Sequence, residues 1–428
     1  MDQKTTLEDP SSGTTSENSV PSLNLPDQRA LWASLLDQII LSLFMMEIVI
    51  LPLKYRKFLH PLAIGLLALF WIMKMVLLKK WIWRKTPLDL PILLFLLWGL
   101  LSSILSTHPR YSIGQFRTEA VTYFFFFYMA ANNIQGKESI RKILLALTAG
   151  SALMASYGIY EFFATGGDWT SRGVRIGSLT SDFNYASTYF MTVIPVILFF
   201  MLESSKKPFK FCIFLLLFSM NLLSLYFTFT RAAWLGLVIA FIIFSLFRGK
   251  KTVLAASFAL GIIFILLFLT PQGKAFYTNM GGSEGGRTPA WDFGIGEILK
   301  RPLFGIGYGR GNMQATFPEQ KEMYSKGFIH LHNVFLETAL EMGIPGALFL
   351  MTMIISLIIQ FIIGYLRSTD SSDSRLMVVM VMIIFAYFAR NQFDQIYVDA
   401  PAVLFWLLMG LGMSRLQNIS ERSGLLSK

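Results

Sequence analysis

Residues 332–366 read HNVFLETALEMGIPGALFLMTMIISLIIQFIIGYL. From Ile344 to Leu366 no residue is charged, and the run is long enough to cross a bilayer core of about 30 Å. Ahead of it stand His332 and Asn333, at the edge of a long polar loop, and Gly343-Ile344-Pro345-Gly346 breaks the chain where the apolar run begins. The break sets how the next span enters the bilayer. A titratable imidazole at a membrane–water border makes this the expected position of a catalytic centre.

Runs of the same kind recur along the 428 residues, of which 54% are hydrophobic and 15% charged. Soluble domains carry roughly a quarter charged residues. About twelve spans are expected by length, near 31–53, 59–78, 88–106, 118–133, 142–164, 186–203, 208–229, 232–247, 253–270, 344–366, 376–394 and 400–415. The runs are continuously apolar rather than alternating, so they are helices and not barrel strands. The expected fold is an all-α integral membrane protein of about 12 transmembrane helices with one large outer loop. Its organisation reads as a disordered cytoplasmic tail over 1–28, helices 1–9 over 29–270, the large loop over 271–343, helices 10–12 over 344–416 and a cytoplasmic tail over 417–428. Residues 1–28 lack the basic start and short apolar core of a signal peptide.

The net charge of +11 does not point to nucleic acid, because the basic residues sit beside spans. Lys79, Lys80, Arg84 and Lys85 follow span two; Lys206, Lys207 and Lys210 follow span six; Arg248, Lys250 and Lys251 follow span eight. The positive-inside rule makes these loops cytoplasmic and puts both termini inside. Lys54, Arg56 and Lys57 break the pattern, since they follow span one and would face outward: either span one is wrongly assigned or these residues hold anionic headgroups. The single cysteine, Cys212, lies in span seven and excludes an internal disulfide.

Of four histidines, His60 and His108 precede prolines at loop edges and read as surface residues. His332 is expected to begin a helix, whose positive end favours the neutral imidazole needed to accept a proton. His330, two residues away, would point elsewhere on a helix and reads as supporting. Arg231 lies in Thr228-Phe229-Thr230-Arg231-Ala232-Ala233-Trp234 between two spans with almost no loop. A charge at that depth costs about 2.5–3.5 kcal/mol unless paired or hydrated; snorkelling to headgroups is the plain alternative. Arg287 and Arg175 are in outer loops, and with Arg231 they could form a cationic pocket suited to phosphate oxygens. Asp37, Glu47, Lys74 and Arg390 fall within or near spans, as partners of one another or as cavity lining. There is no Asp-x-Asp, no His-x-x-x-His, no Cys pair and no phosphate-binding Gly-Lys-Ser/Thr loop, so neither a metal site nor an ATP-driven pump is indicated.

His332-Asn333 followed by Gly343-Ile344-Pro345-Gly346 resembles the His-Asn…Gly-x-x-Gly signature of bacterial O-antigen ligases and their polymerase and O-oligosaccharyltransferase relatives. Lys300-Arg301-Pro302-Leu303-Phe304-Gly305-Ile306-Gly307 looks like the segment that precedes it there, and Thr230-Arg231-Ala232-Ala233-Trp234 like the family's arginine motif. The resemblance implies a GT-C type membrane glycosyltransferase of the inner membrane, with no cofactor and no metal. Its donor would be a glycan on undecaprenyl diphosphate and its acceptor the lipid A–core oligosaccharide, on the periplasmic face. His332 matches the essential histidine and Arg231 the essential arginine; Arg287 matches a further loop arginine, Arg175 is added from position alone, and Asn333 and His330 are supporting. A polymerase would use the same donor, a protein O-oligosaccharyltransferase would glycosylate Ser or Thr, and a transporter would also have about twelve spans. Transporters more often show paired halves with broken helices at mid-membrane, whereas here the unusual polar residues gather on one face.

Overall fold

The computed structural model describes residues 25–54, 56–167, 174–180, 182–248, 287–325, 327–394 and 396–422. Among them every regular element is helical. In chain order they are α1 (Leu25–Ile50), α2 (Arg56–Leu78), α3 (Asp89–Ile104), α4 (Pro109–Phe116), α5 (Thr122–Asn133), α6 (Lys137–Ala164), α7 (Phe183–Glu203), α8 (Pro208–Phe227), α9 (Arg231–Arg248), α10 (Thr288–Lys300), α11 (Gly311–Thr316), α12 (Lys321–Ser325), α13 (Val334–Arg367), α14 (Ser371–Arg390) and α15 (Asp399–Arg422). A π-helical turn, Arg117–Val121, joins α4 to α5.

Among the described residues, eight helices are long and apolar enough to cross a membrane: α1, α2, α6, α7, α8, α13, α14 and α15. The apolar helices α3 and α9 are shorter, and α5 runs only 12 residues beyond the π turn. The span expected at 253–270, the glycine run at 281–286 and most of the N-terminal tail lie outside the described residues. Helix α15 is the axis, with 94% of its apolar window buried; it packs on α5, and α14 packs on α9, α13 and α7. Trp406 in α15 is fully buried, edge-on to Phe124 and Phe127 of α5, and its indole N–H donates to Tyr397 Oη at 2.7 Å. That bond satisfies the one polar atom of a large apolar side chain.

The charges expected within spans are paired. Lys74 donates to Asp37, and Glu47, wholly buried, pairs with His60. His60 is therefore not the surface histidine its loop position suggested; its neighbour across α1 was invisible in sequence. At the end of the bundle carrying the basic loops, Arg84 bridges to Glu421 at 2.8 Å, Arg141 to Glu203 at 3.1 Å and Arg415 to Asp373 at 2.6 Å. His332 lies at the opposite end.

The Gly-x-Pro-Gly break is a kink inside α13. Gly343 has φ 73° and ψ 175°, and Pro345 lacks the N–H that Glu341 O would otherwise accept. The freed carbonyls are taken by the preceding segment: Ile306 N donates to Leu340 O at 2.9 Å and Gly307 N to Glu341 O at 2.8 Å. Ser102 Oγ of α3 donates to Glu341 O at 2.9 Å, and Trp98 Nε1 to Met342 O at 2.9 Å. Buried backbone oxygens must be paired, so the kink and the Pro302–Gly307 segment require each other.

Candidate active site

The site begins with a cap. Asn333 is the N-cap of α13; its Oδ1 accepts from Phe335 N at 3.0 Å and Leu336 N at 3.1 Å, the bonding expected of Asn at a helix start. His332 stands one residue ahead, at φ 53°, a left-handed conformation uncommon for a side-chain-bearing residue. Neighbouring elements hold it there. Leu331 N donates to Glu337 Oε2 at 2.6 Å, Trp291 Nε1 of α10 donates to Leu331 O at 2.8 Å, and Val334 N donates to Asn391 O at 2.9 Å. Leu331 itself is buried against Gly294 of α10, where a Cβ would collide with it. The expected helix does start here, and the histidine lies in the strained turn before it.

Because that turn is not helical, His330 and His332 do not diverge: their ring centroids are 3.9 Å apart. His332 Nδ1 lies 3.3 Å from Asp394 Oδ1. Asp394 is nearly buried. Burial alone would raise its carboxyl, but the His332 hydrogen bond and the charges of Arg390 and Arg287 outweigh that and hold it well below the usual carboxylate range. Arg390, fully buried, reaches Asp394 Oδ2 at 3.6 Å and donates to Asp394 O at 3.3 Å, Asn184 O at 3.1 Å and Ser187 Oγ at 3.2 Å. The span expected at 376–394 thus stops at Arg390, where Asn391 Nδ2 donates back to Tyr387 O at 2.7 Å, and the four residues beyond turn Asp394 onto the histidine. His330 is the opposite case: burial, then Arg310 and His332, push it well below its ordinary value, and neither ring nitrogen has a hydrogen-bond partner.

The three arginines singled out in sequence converge. Arg175 stacks 3.4 Å over the Phe183 ring and donates to Thr228 O at 3.0 Å and Thr230 Oγ1 at 3.2 Å. It thereby braces the tight turn that presents Arg231 at the start of α9. Arg287 precedes α10. Arg175 feels the charges of Asp394, Asp182, Arg231 and Arg390, and Arg287 those of Asp394 and Arg231. Burial, with the neighbouring arginines, lowers both guanidiniums, Arg175 to about 10. Four guanidiniums (Arg175, Arg231, Arg287 and Arg390) thus share the region with two carboxylates, Asp182 and Asp394. A region so charged favours an anion, and guanidinium forks match phosphate oxygens.

His330, His332 and Asp394 bring ligand atoms within 4.8 Å of one another, and their types suit a divalent metal. Arg310 and Arg287 act on His330, and Arg390 and Arg287 on Asp394, so a cation placed among them meets strong repulsion. The donor set fits a hydrogen-bonded His–Asp pair better than a metal centre.

Sequence reasoning placed His332, Asn333, His330, Arg231, Arg287 and Arg175, and the fold gathers them in one region. It missed Asp394, Glu337 and Trp291. The polar run Arg390-Asn391-Gln392-Phe393-Asp394 between two apolar stretches was the available signal for Asp394; nothing local marks the other two.

Residues 212–351, about a third of the chain, match the family model described as O-antigen ligase. The family resemblance read from the His-Asn, Gly-x-Pro-Gly and arginine motifs is borne out for that segment. No curated protein matches the chain. The matching segment lies on a chain whose described residues include eight helices long and apolar enough to cross a membrane, as a multi-pass membrane protein requires.

Proposed function

We propose that the chain is an O-antigen ligase of the bacterial inner membrane. It transfers a glycan from undecaprenyl diphosphate to the lipid A–core oligosaccharide on the periplasmic face, inverting and without a metal. The observation that carries this reading is the His332–Asp394 pair beside the Arg231–Arg287 cluster: a proton acceptor next to an anion seat.

In the proposed step Asp394 accepts a hydrogen bond from His332 Nδ1–H, which leaves the Nε2 lone pair for the acceptor hydroxyl. The acceptor oxygen bonds to the anomeric carbon as the bond from that carbon to the diphosphate oxygen breaks. The proton passes to Nε2 and the electron pair leaves with the diphosphate. General-base help contributes roughly 10²–10⁴-fold. Arg231 and Arg287 stabilise the charge gathering on the leaving diphosphate, while Arg175, whose donors hold the Thr228–Thr230 turn, supports them from behind. A diphosphate is already a good leaving group, so the paired carboxylates of glycoside hydrolysis are not required.

The test uses purified protein in lipid, undecaprenyl-diphosphate glycan with and without lipid A–core, and a chelator. One glycan on lipid A–core, undiminished by the chelator, supports the proposal. Longer chains on the carrier lipid alone would make the protein a polymerase with the same chemistry. Retention of anomeric configuration, or full activity of a well-folded His332→Ala protein, would overturn the mechanism.

A further inference from the structure

Helix α10 is apolar on two sides. Its inward side, with Ala290, Gly294 and Ile298, is buried. Its outward side carries Ile295 and Leu299, four residues apart and so one above the other, and Leu303 follows in the turn beyond the helix. All three are exposed, Leu299 at 69% and Leu303 at 57%. Large apolar side chains grouped on one exposed face mark a surface of contact. The charges beside them do not oppose burial. Lys300 and Arg301 pair with Glu297 at 2.6 Å and 3.1 Å, and their long stems let the charged heads stay at headgroup level.

Position says what covers this face. Helix α13 has 34 residues, about 50 Å of helix, whereas a bilayer core is about 30 Å thick. The uncharged run from Ile344 to Leu366 fills that core, so the turns from Val334 to Gly343 stand beyond it, at the His332 end. Helix α10 packs on α13, with its two ends at different heights. Its start is beside the turn ahead of α13, where Trp291 Nε1 donates to Leu331 O at 2.8 Å. Its foot is at the kink, where Ile344 N donates to Pro302 O at 2.8 Å and Trp98 Nε1 of α3 to Leu303 O at 3.2 Å. From that foot the exposed apolar residues continue along α13 through Ile344, Leu348 and Ile355, the outward stripe of a helix long and apolar enough to cross a membrane. We infer that the foot of α10 is a membrane-docking surface. Leu303 and Leu299 are seated in the leaflet on the His332 side, Ile295 lies at headgroup level, and Asp292, exposed one turn earlier, stands in water. An amphipathic helix binds a leaflet by this kind of shallow burial. The same helix holds the Leu331 carbonyl, so one element joins the leaflet to the turn that carries His332. The inference is independent of the transfer reaction proposed above.

Bimane on single cysteines, placed in a Cys212→Ser background of the full chain, tests this in phosphatidylcholine vesicles. Each labelled protein is compared in plain lipid and in phosphatidylcholine brominated high on its acyl chains. Leu303→Cys and Leu299→Cys should lose emission to the brominated lipid, Leu303→Cys the more. Asp292→Cys should keep its emission there and lose it to iodide in the water. Leu348→Cys, inside the span, establishes that the lipid quenches. All four side chains are exposed, so these changes leave the core intact, and Leu299→Cys carries the test if the Leu303→Cys protein is not monodisperse. Quenching at Leu348→Cys with none at Leu299→Cys and Leu303→Cys would overturn the inference. Blue-shifted emission at those two positions would then assign the face to a protein neighbour, either a second copy or another segment of this chain. Lipid quenching of Asp292→Cys as strong as that of Leu303→Cys would overturn the foot-first seating.

Discussion

In the reaction proposed above, Asp394 decides which nitrogen of His332 faces the acceptor. Its carboxylate, held charged by His332, Arg390 and Arg287 against the cost of burial, sets the ring's tautomer and orientation. Asp394→Asn keeps the shape and loses the charge, and transfer should fall by about 10² or more while binding of a lipid-diphosphate donor persists; equal loss of binding would make the residue structural. Arg231→Lys keeps the charge and loses the fork, so transfer should fall steeply, and wild-type activity would return Arg231 to headgroup snorkelling. His330 makes a pH prediction. Burial and Arg310 push it well below its ordinary value, so the folded protein refuses a proton that the unfolded chain binds below about pH 6.5. Its contribution to stability is complete above that pH and declines below it, by up to about 1.4 kcal/mol per pH unit. Asp394, with a depressed carboxyl, loses its contribution only in stronger acid. The thermal midpoint of wild type should therefore drop between pH 7 and 5, and His330→Gln should flatten that slope; an unchanged slope would assign the decline to other groups.

At the scale of elements, the kink in α13 and the Pro302–Gly307 segment form one device. A Cβ on Gly343 would strike the Leu303 carbonyl, and one on Gly305, at φ 64°, the Leu340 carbonyl. Two sequence motifs some forty residues apart thus close on each other, while α10 latches the turn ahead of α13 through Trp291 and Leu331 O. Gly343→Ala should reduce folded protein and activity together. Gly296→Ala, on α10 with nothing within 4 Å of the added carbon, should instead raise stability by up to about 1 kcal/mol. Yield of monodisperse protein and thermal midpoint separate the two outcomes, and a tolerated Gly343→Ala would show that the kink is dispensable.

Over the whole molecule, charge is divided between two ends. One carries Lys206, Lys207 and the Arg84–Glu421, Arg141–Glu203 and Arg415–Asp373 bridges; the other carries His332, Asp394 and the arginine cluster. The positive-inside rule orients such a bundle. In a Cys212→Ser background, Lys300→Cys on α10 should react in intact spheroplasts with a maleimide that cannot cross the membrane, and Lys206→Cys only after permeabilisation. The reverse pattern would invert the orientation and place the His332 end in the cytoplasm.

The apolar runs, the Gly343–Gly346 break and the tight Thr228–Arg231 turn were legible in the chain because each rests on local physics: burial of length-matched hydrocarbon, a missing proline N–H, a loop too short to leave the membrane border. Local sequence also marked His332 and the three arginines, as polar groups at apolar borders. What it could not supply was partnership across the fold. The pairing of Asp394 with His332, of Glu47 with His60 and of Glu337 with the Leu331 amide joins residues whose spacing carries no period. The helical rule separated His330 from His332, and only packing against α10 and α14 forced the non-helical turn that brings them together. Tertiary structure decided these because hydrogen bonds and ion pairs form where helices place side chains, and helix placement is set by the whole buried core.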